Sequence, residues 1–131
     1  MVDQRFIDYW QQRQQQQSAQ IEVLRHRAWQ DVRQIAQILR QDFEVTGVFV
    51  YGSLLKERFT ADSDIDIALA GLAKDRFYEA VAAVNDVCDR WVDLKPIESL
   101  EPYFWQRIQS QGIWVDEATE FDQLEGTSGG H

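Results

Sequence analysis

The chain has 131 residues, 44% hydrophobic and 12% aromatic, with 13 Lys and Arg against 22 Asp and Glu and a formal net charge of −9. That length fits one domain with its own core, and the composition excludes a disordered chain. The acidity argues against a protein that holds DNA or RNA by its phosphates, and Cys88 with only His26 and His131 makes neither an internal disulfide nor a zinc cluster. No apolar run approaches the ~18 residues of a membrane span, and no signal pattern opens the chain, so a cytoplasmic protein without membrane contact is expected.

Residues 1–17 are polar, with a Gln-rich run from Gln11 to Gln17, and read as an N-terminal extension in an exposed or frayed helix with Phe6, Ile7 and Trp10 on a short face, the alternative being a partner-binding peptide. Ser18 suits an N-cap. After it Ile21, Leu24, Ala28, Val32, Ile35 and Leu39 recur at steps of three and four, which predicts an amphipathic helix ending near Asp42. The β-branched and aromatic run Val45–Tyr51 predicts a strand, stopped by Gly52-Ser53, and Leu54–Phe59 a short helix or turn. Alternation over Asp64–Ala70 predicts a second strand. Lys74–Asp89 reads as a helix with Cys88 as a small buried residue on it, Arg90–Ile97 as a third strand, and Glu101–Gln111 as a helix ended by Gly112. Ile113-Trp114-Val115 is either a brief strand or core packing. Residues 18–118 therefore form one compact α/β domain, a small mixed sheet flanked by helices, and 119–131 an acidic, Gly-rich flexible tail.

The chemistry concentrates in Gly52-Ser53, ten residues, then Asp64-Ile65-Asp66. On a strand, residues i and i+2 face one side about 6.6 Å apart, so Asp64 and Asp66 present two carboxylates together while Ile65 and Ile67 turn to the core. Paired carboxylates suit Mg²⁺, a hard cation that shares its oxygen ligands with phosphates. Gly52-Ser53 at a strand end exposes backbone N–H groups to an anion, with Lys56 and Arg58 following as basic candidates. Asp93 is an acid amid apolar neighbours, costly unless compensated. If the third strand lies beside the second, Asp93 joins the dyad, and three carboxylates can hold two metal ions about 3.5–4 Å apart. The alternative for Asp93 is an ion pair with Arg90 or Lys95. The five Trp residues are expected to serve packing, and exposure of Tyr103-Phe104-Trp105 would mark a partner surface.

Tyr51-Gly52-Ser53 with Ser63-Asp64-Ile65-Asp66-Ile67-Ala68-Leu69 resembles the signature of the DNA polymerase β-like nucleotidyltransferase superfamily. The likeness is strongest to minimal nucleotidyltransferases, often the MntA-like antitoxins of HEPN/MNT toxin–antitoxin pairs. The resemblance implies ATP as substrate, two Mg²⁺ ions, and AMP transfer to a cognate HEPN ribonuclease toxin that silences it. It implies Gly52 and Ser53, with Lys56 and Arg58, at the triphosphate, and Asp64, Asp66 and Asp93 as metal-binding catalytic acids. Leu54 departs from the pattern, since many relatives carry a basic residue directly after Gly-Ser. A chain this short has no acceptor domain of its own, so a partner is expected to supply the acceptor. Transfer to a small-molecule hydroxyl, or neutralisation by binding alone, are the alternatives. The acidic surface suits a basic partner and argues against direct nucleic-acid binding.

Overall fold

The computed structural model describes residues 3–56 and 59–116. Arg58 and the expected tail over 119–131 lie outside these residues.

Helix α1 (Gln4–Phe43) is a single run of 40 residues, about 60 Å long at 1.5 Å per residue. The expected N-cap at Ser18 is incorrect. Ser18 lies inside the helix, and Asp3 is the cap, its carboxylate accepting from Arg5 N at 2.9 Å. The segment before Ser18 holds neither Gly nor Pro from Gln4 onward and is rich in Gln, a good helix former, so nothing breaks the helix. Exposure, rather than a break, sets the extension apart: residues 3–20 are all exposed, and burial begins in the following turns. Glu44 closes the helix in a left-handed conformation at φ 55°.

Four strands, β1 (Gly47–Tyr51), β2 (Ile65–Ala70), β3 (Val92–Pro96) and β4 (Ile113–Val115), form one sheet in the order β3-β2-β1-β4. Strand β1 is antiparallel to both β2 and β4, while β2 and β3 are parallel. A parallel pair requires a crossover, supplied by a 3₁₀ turn (Lys74–Arg76) and α2 (Phe77–Asp86). This helix is shorter than the expected Lys74–Asp89. Asn85 turns the chain out of it, donating to Val81 O at 2.9 Å and Val92 O at 3.1 Å and accepting from Val92 N at 2.7 Å. The segment after Gly112 resolves as strand β4, whose Val115 carbonyl accepts from the Arg40 guanidinium of α1.

One sheet face, carrying Val48, Val50, Ile65, Ile67, Val92 and Leu94, packs under α1 and α2 as the main core. The other carries Phe49, Tyr51 and Ala68 and is covered in part by α3 (Pro102–Gln109) through Ile108, Phe104 and Trp105. The aromatic triplet divides accordingly. Phe104 and Trp105 pack edge-on against Tyr51 and Phe49 at 6.4 and 5.2 Å, and Tyr103 alone is exposed. Gly112 is demanded by this packing, since a Cβ there would lie 2.6 Å from the Phe49 ring.

Cys88 lies beyond the end of α2 rather than on it, half-buried, with its Sγ donating to Asp31 Oδ2 at 3.4 Å. Burial, with the adjacent Asp31 charge, pushes the thiol up to about 11. Cys88 is therefore expected to react with a disulfide reagent at pH 8 about a hundredfold more slowly than a free cysteine peptide, because the thiolate is the nucleophile. A stopped-flow rate equal to the free thiol's would show the burial to be wrong.

Candidate active site

The chain leaves β1 at Tyr51 and enters a 3₁₀ turn over Gly52–Leu55, earlier than the expected Leu54–Phe59. Tyr51 occupies the cap position without a side-chain hydrogen bond, and Ser53 sits inside the turn, so its hydroxyl is not the cap. Gly52 has a φ of +84°, which favours glycine, and a Cβ on it would overlap Asp66 Oδ2 and lie 3.2 Å from Asp66 Cγ. The Gly-Ser turn and the Asp66 carboxylate thus meet directly.

The sheet register assembles the acids. Asp66 lies opposite Tyr51 of β1 on one side and opposite Asp93 of β3 on the other. Asp64 immediately precedes β2 and shares the Asp66 side by alternation. Asp64 is exposed, whereas Asp66 and Asp93 are half-buried. Burial raises the Asp66 pKa above the ordinary carboxylate value, and the Asp93 charge adds to this; Lys95 opposes it, and Asp64 contributes a smaller rise. Asp93 takes the ion-pair alternative with Lys95, two residues along the same strand face, and not with Arg90. Desolvation pulls the Lys95 pKa down, but the bond to Asp93 and the charges of Tyr51, Asp93 and Asp66 together leave it raised.

Lys56 Nζ donates to Gln111 Oε1 at 3.3 Å, tying the end of the turn to the segment after α3. Two arginines frame the loop: Arg25, to which the sequence assigns no role, and Arg90, expected there only as an alternative partner of Asp93. Arg25 of α1 donates to Leu54 O and, at 3.1 Å, to Lys56 O. Arg90 donates to Thr60 O at 2.9 Å and Ala61 O at 3.1 Å. Arg25 sits next to the apolar stripe of a charged helix, where a guanidinium reads as a solvated residue. Only its burial reveals the role.

The donor chemistry fits a divalent cation. Asp64, Asp66 and Asp93 offer carboxylate oxygens on one side of the sheet, and burial first, then the Asp93 charge, raises the Asp66 pKa there. As the side chains stand, no group of three or more His, Cys, Asp or Glu among the described residues is gathered to hold an ion.

Residues 33–120 match the polymerase beta nucleotidyltransferase family, and the chain belongs to that family. No match is found among curated proteins. Solved structures of similar fold include toxin–antitoxin complexes. One, described as a toxin-antitoxin with AMP-PNP, has a TM-score of 0.55 at 21% identity, over 72% of this chain and 80% of that one. A second, a tri-AMPylated Shewanella oneidensis HEPN toxin with its MNT antitoxin, has a TM-score of 0.53 at 21% identity over 82% of each chain. A third, an MntA-HepT complex, has a TM-score of 0.52 at 19% identity, over 75% of this chain and 80% of that one. Among the described residues no helix is long and apolar enough to cross a membrane.

Proposed function

We propose that this chain is an antitoxin-type nucleotidyltransferase that transfers AMP from ATP to a cognate HEPN ribonuclease toxin in the cytoplasm. The observation that carries the reading is the meeting of the Gly-Ser turn with Asp66 while Asp66 stands in register with Asp93. That geometry supports reading a phosphate-binding turn and a set of carboxylates as one site. Family membership and the likeness in fold to AMP-PNP-bound and AMPylated toxin–antitoxin complexes support it.

In this reading Gly52 and Ser53 bind the triphosphate through backbone N–H groups and the serine hydroxyl, with Lys56 and Arg58 as further basic partners. Asp64, Asp66 and Asp93 would hold Mg²⁺, which when bound would neutralise the triphosphate and activate the attacking hydroxyl. The acceptor oxygen bonds to the α-phosphorus, the bond to the bridging oxygen breaks, and pyrophosphate leaves. Asp93, the acid nearest Lys95, takes the hydroxyl proton.

The test is to incubate the protein with the product of its neighbouring gene, Mg²⁺, and ATP labelled at the α- or γ-phosphate. Label from α-labelled ATP alone is expected on the partner, and Asp64→Ala with Asp66→Ala should abolish it. Equal labelling by that variant would overturn the reading. The engagement of Asp93 by Lys95 favours a second reading, neutralisation by contact alone. There the double variant would still rescue growth against the toxin.

A further inference from the structure

We propose that Arg25 is the electrostatic anchor of the triphosphate site, a positioning residue that holds the Gly-Ser turn from within. The inference rests on the nucleotide-binding reading above. At 4% exposure, Arg25 is the one buried charged residue among those described. Its guanidinium forks onto the Leu54 and Lys56 carbonyls, fixing the far half of the turn that begins at Gly52.

Those carbonyls orient the group without neutralising it. Among the described residues the carboxylate that meets it, Glu22 Oε1, lies 3.7 Å from Nε, beyond hydrogen-bond distance, and its side chain is half exposed. A buried cation so weakly compensated is costly by itself. An anion seated on the turn would balance it, and in a low-dielectric setting the attraction acts over several ångströms.

The same guanidinium lies over the Phe59 ring at 5.3 Å, and Arg90 lies over that ring at 4.5 Å. Arg90 in turn holds the carbonyls of Thr60 and Ala61, on the approach to Asp64. One aromatic ring thus links the arginine behind the Gly-Ser turn to the arginine behind the first acid.

The test uses calorimetric titration of the full chain with Mg·ATP, with inorganic tripolyphosphate and with adenosine, alongside thermal melts. Arg25→Met is expected to weaken ATP and tripolyphosphate by about tenfold and leave adenosine unchanged. Glu22→Gln, at an exposed site that tolerates the change, should tighten both phosphates about twofold to threefold by removing the compensating charge; this arm stands even if Arg25→Met does not fold. Arg25→Met that binds ATP like the wild type, or Glu22→Gln with unchanged or weaker tripolyphosphate affinity, overturns the proposal. A wild-type chain that binds neither phosphate overturns the nucleotide reading along with it, whereas unchanged variants of a binding wild type overturn only the role of Arg25.

Discussion

Gly52→Ala is expected to cut nucleotidyl transfer by about 10²-fold or more and to lower stability by about 1–3 kcal/mol. Two separate costs meet at this position. The φ of +84° disfavours any residue with a Cβ by about 1 kcal/mol, and the added carbon would occupy the space of Asp66 Oδ2. Relief requires the turn or the carboxylate to move by about an ångström, which separates the Gly-Ser turn from the acid it abuts. Paired melts and initial rates of label transfer test this. A variant that loses stability yet transfers at more than about a third of the wild-type rate would show that the contact is structural only.

Asp66→Asn should act in opposite directions on activity and on fold. Transfer is expected to fall by about 10³-fold, as when a centre loses a charged group that acts in the transition state. Stability of the metal-free protein is expected to rise, with Tm higher by about 2–4 °C near neutral pH. The sign follows from the raised pKa, caused first by burial and then by the Asp93 charge. A carboxyl that binds its proton more tightly when folded makes its ionised form a cost to the fold. That cost is full above the folded-state pKa and disappears below the ordinary value of 3.8. Lowering the pH through this window should therefore relieve the wild type, reversing the usual carboxylate behaviour, and the asparagine variant should lack the effect. Melts in chelator from pH 4 to 8 decide it; an asparagine variant less stable than wild type at pH 7.5 would contradict the account. Mg²⁺ should raise the wild-type Tm and leave the variant's unchanged.

What the sequence disclosed depended on how local each signal was. Gly52, Ser53, Asp64 and Asp66 were legible because a strand end and a period of two place them without knowledge of the rest of the fold. The partnership of Asp66 with Asp93 needed the parallel pairing of β2 with β3, a contact between segments 27 residues apart that alternation alone leaves conditional. Ser18 misled because a good capping residue carries weight only where a helix actually begins, and the glutamines before it favour helix as well. Arg25 was invisible for the opposite reason. Its burial comes from Phe59 and the Gly-Ser turn, both distant in sequence, and no periodicity in α1 distinguishes a guanidinium facing them from one facing water.

The unbroken course of α1 couples the length of its glutamine tract to rotation. Each residue of an α-helix advances the chain by about 1.5 Å and turns it by about 100°. Phe6 and Tyr9, each in edge contact with Trp10 at 6.0 and 5.8 Å, therefore stand with it at a fixed azimuth about the helix axis relative to the buried turns near Arg25. One glutamine inserted between Gln11 and Gln17 would swing that aromatic group by more than a quarter of a turn, whereas seven would return it to within about 20° of its phase while carrying it some 10 Å farther out. A tract that looks compositionally featureless thus behaves as a phase-setting spacer, in which the number of residues matters more than their identity.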